Sequence, residues 1–167
     1  MDKTKENEKY REIQTISFRI DDQTYGIDIM EASEIISIQK IHDYPRCPDF
    51  IEGIYNLRGK IIPIIDLKKR LKNVSTGKKP KRKVIIANID KNTRYQIGLI
   101  VDDVCQVIRC NETDIFMQPA VLDDVNHKFI RGLINHNDQL IILLMLNNLF
   151  SKPEKEAIVK TTNITAR

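Results

Sequence analysis

Apolar and polar side chains alternate over Gln14–Ile20, where Ile16, Phe18 and Ile20 oppose Thr15, Ser17 and Arg19, the period of a half-buried strand. Asp21-Asp22-Gln23 supplies a turn and Tyr25–Ile29 a second strand, in which Gly26 permits a bulge or a close backbone approach. From Met30 the period changes, and the spacing of Ala32, Ile35 and Ile36 predicts a short helix. Ile38–Asp43 reads as extended, and Pro45-Arg46-Cys47-Pro48 as a stiff irregular link, because each proline fixes its own φ and biases its predecessor away from helix. Phe50–Leu71 holds two apolar runs around the turn Leu57-Arg58-Gly59, a hairpin whose Pro63 marks an edge or a strand end, and Asp66–Lys72 starts a short helix. Beyond the polar stretch 73–83, Val84–Ile89 and Tyr95–Val101 read as strands joined by a turn at Asp90–Thr93, and Val104, Val107 and Ile108 continue an extended or bent chain. A looser region over Asn111–Lys128 leads to the hairpin Phe129–Leu146, in which Leu140–Leu146 is the most apolar run and is expected to be central in its sheet. Asn147–Phe150 opens a last helix, and the chain after Pro153 is expected to be disordered.

The two hairpins are copies of one another. At a shift of 79 positions Phe50-Ile51-Glu52-Gly53-Ile54-Tyr55-Asn56 lies over Phe129-Ile130-Arg131-Gly132-Leu133-Ile134-Asn135, and the turn Leu57-Arg58-Gly59 over His136-Asn137-Asp138. Gly26-Ile27-Asp28-Ile29 lies over Gly98-Leu99-Ile100-Val101 at a shift of 72. The halves therefore read as two small β-rich subdomains of one ancestry, about 13–72 and 84–150, between an arm over 1–12 and a tail over 151–167.

Composition narrows the class. With 167 residues, 41% of them hydrophobic, the chain can bury a core without staples. Its three cysteines, Cys47, Cys105 and Cys110, lack the paired spacing of a zinc or redox motif, and reduced thiols are expected. The charged N-terminus is neither signal nor anchor, no apolar run approaches the ~20 residues of a membrane span, and a cytoplasmic protein is expected. The stretch 73–83 carries Lys78, Lys79, Lys81, Arg82 and Lys83, but no aromatic is interleaved and the net charge is only +4, which argues against a nucleic-acid partner.

Catalytic chemistry finds little purchase. The chain has no Gly-rich phosphate loop, no G-x-S-x-G elbow and no H-E-x-x-H helix, and His42, His127 and His136 stand far apart without ligand-spaced partners. Asp102-Asp103 and Asp123-Asp124 are adjacent pairs whose side chains diverge on an extended chain, so they read as solvated turns. No metal, cofactor or enzymatic activity is expected; the composition suits a binding module. The unusual feature is Asn56-Leu57-Arg58-Gly59, where Arg58 is either a solvated turn residue or a guanidinium held on a rigid mount to fork onto a carboxylate.

These residues resemble the CheW family of chemotaxis adaptors, from about Gln14 to Phe150. The resemblance rests on Tyr25-Gly26-Ile27-Asp28-Ile29, Glu34-Ile35, Phe50-Ile51-x-Gly53, Asn56-Leu57-Arg58-Gly59, Ile62-Pro63-Ile64-Ile65-Asp66-Leu67 and Gly98-x-x-Val101-Asp102-x-Val104, in that order and spacing. It implies a mainly β fold of two five-stranded SH3-like barrels with short helices, packed on a shared apolar interface. It also implies an adaptor without catalysis, which couples the cytoplasmic tips of chemoreceptors to the regulatory domain of the histidine kinase CheA and reaches the membrane only through receptor arrays. Carried over by position, Arg58 is the principal coupling residue, with Glu34, Ile35, Gly53, Asn56 and Gly59 beside it on the first lobe, while Val101, Val104 and Val107 line the second lobe's part of a receptor groove. Ala32 stands where a larger aliphatic is common, and Asp103 where a glycine is less surprising. The alternative is a CheW-like scaffold of another receptor–kinase pathway or of a receiver-fused regulator.

Overall fold

The computed structural model describes residues 11–38, 40–72, 82–89, 95–116 and 127–162. Residues 1–10 of the expected arm over 1–12, the lysines at 78, 79 and 81, the turn Asp90–Thr93 and the pair Asp123-Asp124 lie outside the described residues, while Glu12 already belongs to a strand. Ten strands run in chain order: β1 (Glu12–Ile20), β2 (Gln23–Asp28), β3 (Ala32–Ile38), β4 (Ile51–Leu57), β5 (Lys60–Asp66), β6 (Arg82–Asn88), β7 (Gln96–Val101), β8 (Asp103–Asn111), β9 (Ile130–His136) and β10 (Gln139–Leu144). Helix α1 (Leu67–Lys72) follows β5 and helix α2 (Lys152–Thr162) closes the described chain.

Two five-stranded sheets result, ordered β8-β1-β2-β10-β9 (barrel I) and β3-β6-β7-β5-β4 (barrel II). Each closes on itself. Past β3 the chain bridges back at His42 to Ile54 of β4, and past β8 it bridges at Phe116 to Leu133 of β9. The fold is thus mainly β, as expected, and the repeat is present element for element: β1–β5 correspond to β6–β10. The glycines of the second echo occupy equivalent parallel pairings, Gly26 opposite Leu143 and Gly98 opposite Ile64.

The sheets nevertheless cut across the division into 13–72 and 84–150. Hairpin β1–β2 is completed by strands of the later half, and β3–β5 are completed by β6–β7. The halves have exchanged hairpins, so sequence similarity marks the repeat units but not the partners each strand chose.

Three cores follow from strand alternation. Within barrel II, Val84 and Ile86 of β6 meet Ile62 and Ile64 of β5, while in barrel I the corresponding interior holds Ile108, Ile134, Ile141 and Leu143. The opposite faces, Ile16, Phe18 and Ile27 from one barrel and Ile85, Ile97 and Leu99 from the other, form the largest core between the barrels. Burying each of these side chains is worth about 1.5–3 kcal/mol, so the barrels are fused rather than tethered.

Five expectations need correction. Residues 30–36 are not a helix: β3 is exposed and covered in strict alternation, with Ile35 turned out and Glu34 partly covered. That inversion of polarity, together with the bulge between Ala32 and Glu34 against β6, disguises the period of two. The chain past Pro153 is helical as far as Thr162, because Ser151 and Glu154 form a reciprocal cap (Glu154 N–H to Ser151 Oγ 3.3 Å, Ser151 N–H to Glu154 Oε2 2.7 Å). Pro153 sits in the first turn, where no amide partner is lost, and Ile158 is fully buried in the shared core. Pro63 lies within an interior strand, although the pairing of β5 with β7 begins only at Ile64. Finally, Arg82 and Lys83 belong to β6 rather than to a connection, and Arg82 pairs with Glu52 at 2.9 Å. Strand β10 is interior, between β2 and β9, but β2 is the central strand.

Candidate functional site

The tip of hairpin β4–β5 is a two-residue turn with φ of 50° at Arg58 and 89° at Gly59, the type I′ geometry that matches strand twist. Asn56 Oδ1 accepts the Gly59 N–H at 2.8 Å and fixes the entry to the turn. The equivalent tip of β9–β10 has Asn137 and Asp138 at φ of 49° and 62°, residues that tolerate left-handed backbone. Arginine does not share that tolerance, at a cost of roughly 1 kcal/mol. The turn alone would be better made by asparagine.

Arg58 lays its guanidinium across the adjoining β3, where one NH2 group donates to Glu34 Oε1. The two side chains are 71% and 32% exposed, and a pair so wetted stabilises by about 0.2–1 kcal/mol at most. Its effect is therefore to orient. Ile35 follows Glu34 on the same strand and is 46% exposed. A polar chain borders the patch, from Lys60 Nζ to Gln96 Oε1 (3.4 Å) and from Gln96 Nε2 to Ser33 Oγ (3.1 Å). Ser33, Lys60 and Gln96 were not singled out by sequence, since only the β3-β6-β7-β5 order brings them together.

Gly53 is covered and builds the site from beneath. Its φ is 154°, and a Cβ there would run into the carbonyl of His42 and the side chain of Ile41. The bridge that closes barrel II passes through this point, with His42 N–H to Ile54 O at 2.9 Å and Ile54 N–H to His42 O at 2.8 Å.

The three valines separate. Val101 belongs to β7 of barrel II, the barrel that carries Arg58, and is 3% exposed in the shared core, so its side chain is not presented to a partner. Val104 is partly buried at the rim of that core. Val107 on β8 is 50% exposed. It lies opposite Ile16 just as Ile35 lies opposite Ile85, each beside an equivalent bulge. The duplication thus repeats an exposed aliphatic at one position on the outer strand of each barrel.

Charge also crosses between the barrels. Lys68 Nζ reaches Asp21 Oδ1 at 2.8 Å, and the Asp21 N–H donates to Asp102 Oδ2 at 2.6 Å. The hydrogen bond that Lys68 donates to the Asp21 carboxylate raises its ammonium above the ordinary range. Burial, and secondarily Asp21, raises the Tyr25 phenol. All three thiols are raised, burial being the first cause in each. Among the described residues no cluster of three or more histidine, cysteine or acidic side chains could hold a metal ion, and no helix is long and apolar enough to cross a membrane.

A family model for the CheW-like domain matches residues 14–154. A chemotaxis protein CheW of Treponema pallidum is 30% identical over 151 residues, covering 88% of this chain and 87% of its own. Chemotaxis protein CheV3 of Helicobacter pylori is 28% identical over 89% of this chain but only 50% of its own length. The crystal structure of the scaffolding protein TtCheW from Thermoanaerobacter tengcongensis superimposes with a TM-score of 0.75 at 37% identity, covering 87% of this chain and 97% of the other.

Proposed function

The chain belongs to the CheW-like domain family, and from that membership we propose that it is a cytoplasmic chemotaxis adaptor coupling chemoreceptor tips to the histidine kinase CheA. It acts by contact rather than by catalysis, and it meets the membrane only through receptor arrays. The observation that carries the reading is the Arg58–Glu34 pair, in which a guanidinium is held at a backbone conformation unfavourable to arginine. Arg58 offers its remaining donors to a carboxylate or carbonyl, Ile35 supplies apolar area, and Asn56 and Gly59 hold the tip in shape. Gly53 and Val101 contribute by building the barrel and the shared core.

Barrel II meets one partner through Ile35, and barrel I meets another through Val107 and the rim residue Val104. Two equivalent outer strands suit pseudo-symmetric contacts with domains of like fold, each modest and strengthened by multivalency in an array.

The test is reconstitution with receptor-bearing membranes and CheA, comparing wild type with Arg58→Ala and with Glu34→Gln after both variants are confirmed folded. Wild type should enter the ternary complex and activate the kinase, Arg58→Ala should lose at least tenfold in kinase affinity, the scale of one charge-assisted contact, and Glu34→Gln should lose less. Wild-type protein that binds neither receptor nor kinase from a matched source would end the proposal. A second reading, a scaffold module of another receptor–kinase pathway or of a receiver-fused regulator, draws on the match to half of CheV3; it predicts the same contacts but no activation of the chemotaxis kinase.

A further inference from the structure

The duplication shows what the outer strand of each barrel keeps and what it lets vary. Beyond an equivalent bulge, β3 turns Ile35 and Ser37 outward, and β8 turns Val107 and Arg109 outward. Ile35 lies opposite Ile85 and Val107 opposite Ile16, both members of the shared core. Each exposed aliphatic therefore continues that apolar face beyond the part the other barrel covers.

A cation stands beside each aliphatic, drawn from a different strand in each barrel. In barrel I it is Arg109, two residues along β8 from Val107, with Gln14 as its cross-strand neighbour. In barrel II it is Lys83 on β6, diagonal to Ile35, with Ser37 as its cross-strand neighbour. The registers make Gln14 the counterpart of Lys83 and Arg109 the counterpart of Ser37. The copies have exchanged the strand that bears the charge and kept the charge itself, at roughly 7 Å from the aliphatic in both. Both cations are exposed, and neither forms an ion pair among the described residues. Glu12, diagonal to Arg109 on β1, is exposed and not paired with it. A wetted cation without a counter-ion adds nothing to stability, so the fold does not account for either charge.

We propose that each outer strand docks a protein segment that pairs an aliphatic side chain with a carboxylate about 7 Å away. The aliphatic packs on Ile35 or Val107, and the carboxylate meets Lys83 or Arg109. The inference rests on the adaptor reading and adds the chemistry of the partner: the apolar contact supplies burial, while the charge supplies orientation and rejects basic segments. Arg109 takes its carboxylate through two parallel hydrogen bonds, whereas Lys83 acts as a point charge, which makes barrel I the more exacting face.

The full chain and its variants are titrated with receptor-bearing membranes and with CheA at about 50 and about 300 mM salt, which differ strongly in screening. Arg109→Gln should weaken one partner about three- to tenfold at the lower salt and flatten its salt dependence, and Lys83→Gln should do the same for a partner met through barrel II. Arg109→Glu should weaken binding further, and Arg109→Lys should recover most of the loss, a pattern that a merely structural residue would not give. Val107→Ala should weaken the same partner as Arg109→Gln at both salt concentrations, with the salt dependence intact. Unchanged affinity and salt dependence in both Arg109→Gln and Lys83→Gln overturns the proposal, and a loss in Val107→Ala in the same titrations shows that the adaptor reading survives it. Wild-type protein that binds neither partner removes the adaptor reading and the proposal with it. Receptor-free anionic vesicles are the control: if these variants lose binding to them instead, the cations face lipid and the proposal is overturned.

Discussion

Gly53→Ala should open barrel II, and the size of the effect can be worked from two sources. The backbone at φ of 154° suits glycine, and forcing alanine into it costs about 1–2 kcal/mol. The new Cβ would occupy the place of the His42 carbonyl, so the bridge to Ile54 must shift, and its two hydrogen bonds of 2.9 and 2.8 Å are each worth about 0.5–1.5 kcal/mol net. Together these give roughly 2–5 kcal/mol, or about 5–20 °C in melting temperature for a domain of this size. Gly59→Ala is the control. Its φ is 89° but nothing lies within 4 Å of a Cβ there, so only the backbone term of about 1 kcal/mol applies, some 2–4 °C. Thermal unfolding followed by circular dichroism measures both. Hydrogen exchange at the Ile54 amide should be accelerated in Gly53→Ala alone. Equal losses in the two variants, or an Ile54 amide as protected in Gly53→Ala as in wild type, would refute the closing role assigned to the His42–Ile54 bridge.

Val101→Ala should cost about 1.5–3 kcal/mol in chemical denaturation while leaving partner affinity unchanged where it is folded; Val107→Ala should stay within about 0.5 kcal/mol yet weaken a partner contact, and the reverse pattern would exchange their roles. Stability should fall on the alkaline side: the raised Tyr25 phenol and Lys68 ammonium contribute fully below their ordinary values of about 10 and less as pH rises through their folded ones. Urea titrations across that range should show a shallower decline in Tyr25→Phe, and an unchanged slope would remove Tyr25 from the account. Because all three thiols are raised, a disulfide reagent near neutral pH should react with each more slowly than with free cysteine, and with the exposed Cys105 first. Fragments 1–77 and 78–167, each lacking strands of both sheets, should be unfolded alone and recover β structure on mixing; a fragment that folds by itself would argue against the exchange of hairpins.

The sequence by itself determined the repeat, most strand positions and the hairpin tip. Those depend on local chemistry: alternation over β1, the glycines at 26, 53 and 98, and an Asn-Leu-Arg-Gly turn each constrain a few neighbouring residues whatever surrounds them. Its errors fell where local rules competed. The outward Ile35 and partly covered Glu34 invert the polarity expected along β3, and the proline at 153 outweighed the Ser151–Glu154 cap that starts α2. Only the tertiary structure decided which hairpin completed which barrel, because two copies of one pattern offer equivalent edges and the choice depends on long-range pairing and on the core buried between the barrels. The same packing brought Glu34 to Arg58 and placed Val101 inside and Val107 outside. Adjacency of that kind is a property of the closed sheets, and no segment of the chain contains it.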